Sequence, residues 1–146
     1  MTETEFAALN EHLHEVHPIL DAFCARHGFA GVDQRSLGRY PRIRIERRGL
    51  TNIWFDLWME SDEGGHRVDQ FRRDVPYELS AGVYIDVQDG SRYGLRLQKA
   101  IQCFSGKPFD QVGAILQSEM EKHLPTLEAW NVQYLKDHGE RVQLGS

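Results

Sequence analysis

From Tyr40 to Met59, and again from Gly82 to Leu97, apolar residues fall at every second position, while on either side of these runs they recur at every third or fourth. Alternate side chains of a strand point to opposite faces, whereas a helix returns to one face about every 3.6 residues. The change of period therefore fixes the class. The chain reads as an α+β domain with an antiparallel sheet of four to five strands, built from two hairpins and packed against an N-terminal and a C-terminal helix.

In the first run Ile43 and Ile45 alternate with Arg42, Arg44 and Glu46, and Ile53, Phe55, Leu57 and Met59 alternate with Trp54, Asp56 and Trp58. A three-residue loop Arg47-Arg48-Gly49 would put Gly49 in the left-handed third position and set Ile43 opposite Ile53, with Arg42 opposite Trp54. In the second run a two-residue Asp89-Gly90 turn would mix core with surface. The loop Gln88-Asp89-Gly90 instead sets Ile85 opposite Tyr93, Val83 opposite Leu95 and Asp86 opposite Arg92. Beyond Leu97 the alternation blurs, which suggests a bulge or a short fifth strand ending before Ser105-Gly106.

Phe6, Leu9, Leu13, Val16, Leu20 and Phe23 share one helical stripe, with Thr2 and Glu5 as a capping box and Gly28 as the stop. Pro18 should kink or restart this helix. Pro108 opens a second helical pattern through Phe109, Val112, Leu116, Met120, His123 and Leu127, continued by Trp130, Tyr134 and Leu135 toward Gly139. Pro125 predicts two pieces meeting near Leu124, and the last residues are expected to fray. Ser61 to Glu78 reads as loop around Gly64-Gly65, with a helical turn or two at Val68, Phe71 and Val75.

A length of 146 residues fits one domain spanning 1–146, and 40% hydrophobic with 27% charged residues is ordinary globular composition. Two cysteines, Cys24 and Cys103, lie in apolar surroundings without a ligand cluster, which points to buried thiols in a reducing compartment. The acidic start is unlike a signal peptide, and no run approaches the roughly 18 apolar residues of a membrane helix, so the expectation is a cytoplasmic chain without a membrane partner. A net charge of -5 argues against nucleic acid. Even so, Arg35, Arg39, Arg42, Arg44, Arg47 and Arg48 crowd one short segment.

No catalytic motif stands out. His12, His14 and His17 with Glu11 offer too few ligands for a metal on one helix, and Glu119 with His123 is the sole second pair of that kind. Cys24 precedes His27 by one helical turn but sits among Phe23, Ala22 and Ala25, where a thiol is core. Ser105-Gly106-Lys107-Pro108 lacks the pattern of a phosphate loop, and there is no nucleophile elbow. Neither cofactor nor metal is expected.

The outward sheet face is more informative. It combines Trp54, Trp58 and Tyr84 with Arg42, Arg44, Arg92 and Arg96 and the acids Asp56, Glu60 and Asp86, and Trp, Tyr and Arg are the residues that dominate binding hot spots. A protein-binding surface is one reading. Another is that Phe71 and Val75 fold back over the tryptophans, with Arg42 over Trp54 as an internal cation–π pair. A third assigns Arg42, Arg44, Arg92 and Arg96 to an anionic or small-molecule ligand, possibly with enzymatic turnover.

A helix ending in His27-Gly28-Phe29, a run of antiparallel strands, and a terminal helix carrying Leu124-Pro125 and Trp130 together resemble small bacterial α+β families of unknown function that occur as immunity proteins beside polymorphic toxins. A second likeness is to type III secretion chaperones, although their apolar middle segment is missing. Both resemblances imply a protein partner, a toxin or effector, and no catalysis.

Overall fold

The computed structural model describes residues 16–30, 33–37, 40–59, 77–97 and 112–143. It contains α1 (His17–His27), β1 (Asp33–Leu37), β2 (Tyr40–Arg47), β3 (Asn52–Met59), β4 (Tyr77–Asp86), β5 (Ser91–Arg96), α2 (Val112–Ala129), α3 (Val132–His138) and β6 (Glu140–Gln143). The six strands among the described residues form one antiparallel sheet in sequence order, so the α+β class is as the sequence reads. The two expected hairpins are its four central strands. An edge strand is added on each side, and the one at the C-terminus, β6, occupies residues expected to fray. Expectations for Glu11, His12, His14, Glu60, Val68, Phe71, Val75, Cys103 and Pro108 lie outside the described residues.

The second hairpin has the expected register, with Ile85 opposite Tyr93 and Asp86 opposite Arg92, and Gly90 takes a left-handed φ of 86°. Register in the first hairpin is shifted. Ile43 pairs with Leu57, Ile45 with Phe55 and Arg47 with Ile53, so the loop is Arg48-Gly49-Leu50-Thr51, and Gly49 is not left-handed. Arg42 consequently faces Trp58 rather than Trp54. The period-two pattern tolerates this correction, because a shift by an even number of residues leaves every side chain on its face.

Pro18 lies in the first turn of α1, where its missing N–H costs nothing, and Gly28 closes the helix at φ 74° while the Phe29 N–H donates to the Cys24 carbonyl at 3.0 Å. The break expected near Leu124 is not there. The helix α2 runs through Pro125, since Met120, Leu124 and Leu127 are all buried and packing outweighs one lost hydrogen bond. It ends at Ala129, and the Asn131 side chain accepts from the Tyr134 N–H at 2.9 Å to start α3.

One core lies between the helices and a single face of the sheet. Leu20 and Phe23 of α1, Leu116, Met120, Leu124 and Leu127 of α2, and Leu135 of α3 pack with Ile43, Ile45, Ile53, Phe55, Leu57, Leu79, Ala81, Val83 and Ile85. Phe23, Phe29 and Phe55 form a three-ring cluster with centroids 5.4 to 5.9 Å apart, joining α1 to β3. Arg47 ties the same corner from outside, donating to the His27 carbonyl at 3.1 Å and to Glu128 at 3.0 Å. Trp54 and Tyr84 are buried too, yet they stand outside this cluster. They belong to the opposite face.

Candidate functional site

The pairing of strands arranges that opposite face in rows. One row runs Glu46, Trp54, Gly82, Arg96 across β2 to β5, and the next runs Asn52, Tyr84, Gly94, Glu140 across β3 to β6. Each holds an aromatic residue beside a glycine, and the contrast in size shapes the surface. The Trp54 indole lies over Gly82, where an added Cβ would come within 2.6 Å of Cζ2 and 2.8 Å of Cε2. Tyr84 leans the other way and donates its hydroxyl to Glu46 Oε1 at 2.8 Å, which leaves Gly94 bare.

The result is a hollow of about 350 Å3 whose lining includes Arg44, Trp54, Tyr84, Arg92, Gly94 and Arg96, with Glu140 and Val142 of β6 at its border. The two rings form walls. Trp54 is only 9% exposed and Tyr84 7%, so neither projects as a free anchor. Guanidinium groups lie over both of them: Arg44 at 4.9 Å and Arg96 at 5.8 Å from the Trp54 centroid, and Arg92 at 3.8 Å from that of Tyr84. Arg44 and Arg96 are thus the described cations over Trp54, and Arg42, expected opposite it, is set opposite Trp58 by the register.

Among the described side chains of this face, most of the charge is matched. Arg44 bonds Asp56 and Glu46, each at 3.3 Å, while Arg48 reaches Glu46 at 3.3 Å. Arg92 grips Asp86 with two hydrogen bonds of 2.6 and 3.1 Å. The expected pairing of Asp56 and Asp86 with arginines is thus present. Arg96 differs: its side chain is exposed, lies on the indole, and has no carboxylate partner among the described residues.

Glu46 is the hub that the sequence did not single out. Burial pushes its carboxyl upward, but the hydrogen bonds from Tyr84, Arg44 and Arg48 outweigh burial and hold it below the ordinary carboxylate range. A depressed folded value means that its contribution to stability is present above the unfolded pKa of about 4.3 and is lost as pH falls through the folded value. Glu46→Gln should therefore be less stable than the parent by about 1 kcal/mol at neutral pH, with the gap closing toward pH about 2. Urea titrations of both proteins across that range test this. A gap that persists unchanged in acid would show that the carboxylate charge contributes nothing.

The other candidates are structural. Burial first, and then Asp21, raises the Cys24 thiol to about 11, so it stays protonated beside the core, and the His27 imidazole turns to Glu121 at 2.8 Å. His123 bonds Glu119 of its own helix at 3.2 Å. No group of three or more metal-ligating side chains is found among the described residues, and no helix there is long and apolar enough to cross a membrane. Of the arginine-rich segment, Arg44, Arg47 and Arg48 all bond carboxylates.

Sequence reasoning therefore placed Trp54, Tyr84, Arg44, Asp56, Arg92 and Arg96 on one surface, and the structure brings them together. Arg42 and Trp58 stand opposite each other in the register at the other end of the β2–β3 hairpin, and their side chains are outside what the structure describes. The two glycines and β6 were missed. Trp54 opposite Gly82 becomes visible only once the β3–β4 register is known, whereas Tyr84 opposite Gly94 follows from the register expected for the second hairpin; Glu140–Gln143, exposed throughout, carries no alternating pattern. No protein-family model, curated protein or solved structure matches this chain.

Proposed function

We propose that this chain is a non-enzymatic protein-binding domain that meets its partner with the outer face of the sheet around Trp54 and Arg96. The observation that carries this reading is Arg96, an exposed guanidinium held on an aromatic wall, on a face where Arg44, Arg48 and Arg92 already bond carboxylates. Such a cation is pre-oriented for a partner and costs little conformational entropy to fix. The matched pairs around it favour one orientation of approach over others. The resemblance of element order to immunity proteins makes a toxin or effector the kind of partner expected, bound and inhibited without chemistry.

Co-expression of the chain with the products of neighbouring reading frames tests the reading. A toxin-like product should co-purify with the parent, and Arg96→Glu should weaken that complex at least tenfold in a titration while leaving the unfolding curve unchanged. Complex formation indifferent to Arg96→Glu would overturn the assignment of this face.

A second reading has one observation in its favour, the hollow itself, whose volume of about 350 Å3 lies at the small end of ligand pockets. On that reading Arg44, Arg92 and Arg96 hold an anionic small molecule. A saturable thermal shift with a metabolite or nucleotide, lost on Arg92→Ala, would favour it.

A further inference from the structure

Resting on the protein-binding reading, we propose that the hollow is a carboxylate subsite that receives one aspartate or glutamate side chain of the partner, gripped by the planar fork of Arg96. The charge balance selects this ligand. At the hollow Arg44, Arg48 and Arg92 are bonded to Glu46, Asp56 and Asp86, so among the described side chains there only the Arg96 guanidinium is left to answer an anion. One uncommitted guanidinium matches one monoanion, and the bidentate geometry suits a carboxylate. A doubly charged phosphate would have only that one cation free to answer it, with Glu140 also in the lining.

Shape agrees with charge. Gly94 leaves room on the floor, since a Cβ built there would touch Tyr84 Cβ and the Val83 carbonyl at 3.6 Å, which is ordinary contact. A glycine at that position is not required by the fold, and its absent side chain is what keeps the hollow open. Val142, 47% exposed, supplies an apolar border beside its register partner Arg92. The residue beside the acidic one is therefore apolar or aromatic, covering Val142 while the carboxylate reaches Arg96.

The test uses the full chain and capped dipeptides, so that only a side-chain carboxylate is available. Acetyl-Phe-Glu-amide should shift the NMR signals of the Arg96 Nε–H and the Trp54 indole N–H saturably, with a Kd on the order of millimolar, as expected for one partly exposed ion pair with an apolar neighbour. Acetyl-Phe-Gln-amide should bind at least tenfold more weakly, as should the glutamate peptide to Arg96→Gln. Gly94→Ala should remain fully folded and also bind more weakly, because its methyl group fills the floor. Equal binding of the two peptides, tighter binding of inorganic phosphate, or shifts confined to arginines elsewhere would overturn the subsite. If Arg96→Glu breaks the partner complex but no acidic peptide binds, the subsite fails and the binding face stands. If the peptide binds as described and the complex ignores Arg96→Glu, the subsite stands and the reading beneath it fails.

Discussion

Trp54→Ala is expected to lower the unfolding free energy by about 3 kcal/mol, within the range for deleting a buried large aromatic side chain, and to lower Tm by about 10 °C for a chain of this size. The reason is position. The indole is 9% exposed, although it lies on the face away from the helices, and it fills the space over Gly82 beneath two guanidinium groups. Removing it uncovers backbone at Gly82 and takes the aromatic wall from Arg44 and Arg96 together. Partner binding should fall as well, since Arg96 loses its support. Binding lost with no change in stability would mean that the indole is an exposed anchor; urea unfolding monitored by far-UV circular dichroism separates the two.

Gly82→Ala probes the same contact from the other side and should destabilise by about 2 kcal/mol, a typical cost of overpacking. At a site with room, glycine to alanine in a compatible backbone stabilises by roughly 0.4 to 1 kcal/mol, so the sign is informative. Here the new Cβ would sit 2.6 Å from the indole and 2.9 Å from the Leu95 carbonyl oxygen, and the ring must lift. The two changes should be non-additive. In a Trp54→Ala background the indole part of the penalty vanishes and only the contact with the Leu95 carbonyl remains, giving a coupling of about 1 kcal/mol in a double-mutant cycle. Additive effects would show that Trp54 does not rest on Gly82.

Much of this architecture was legible because alternation in a strand reports its face whatever the register. The arginines, Trp54 and Tyr84 were assigned to one surface even though the β2–β3 hairpin is shifted, and the isoleucines stayed inward for the same reason. Register itself was legible only where turn chemistry fixes it, as at Gly90. Arg48-Gly49-Leu50-Thr51 offers no such constraint, and Gly49 drew the loop too short. Pro125 misled in the opposite sense, since its local penalty is visible in sequence whereas the burial of Leu124 and Leu127 that offsets it is tertiary. The hollow could not be foreseen, because it depends on which residue stands opposite Gly82 and on β6, an exposed edge strand held by pairing with β5 and by the Arg141–Asp89 bond.

That the outer sheet face, rather than the helical side, is the recognition surface can be tested by following every arginine Nε–H and indole N–H by NMR while a cognate protein partner is added to saturation. The Arg96 and Trp54 signals should move together, while Arg26 and Arg47, which bond Glu121 and Glu128 on the helical side, stay where they are. Movement of Arg26 and Arg47 with Arg96 and Trp54 unchanged would place the partner on the helices and contradict the account.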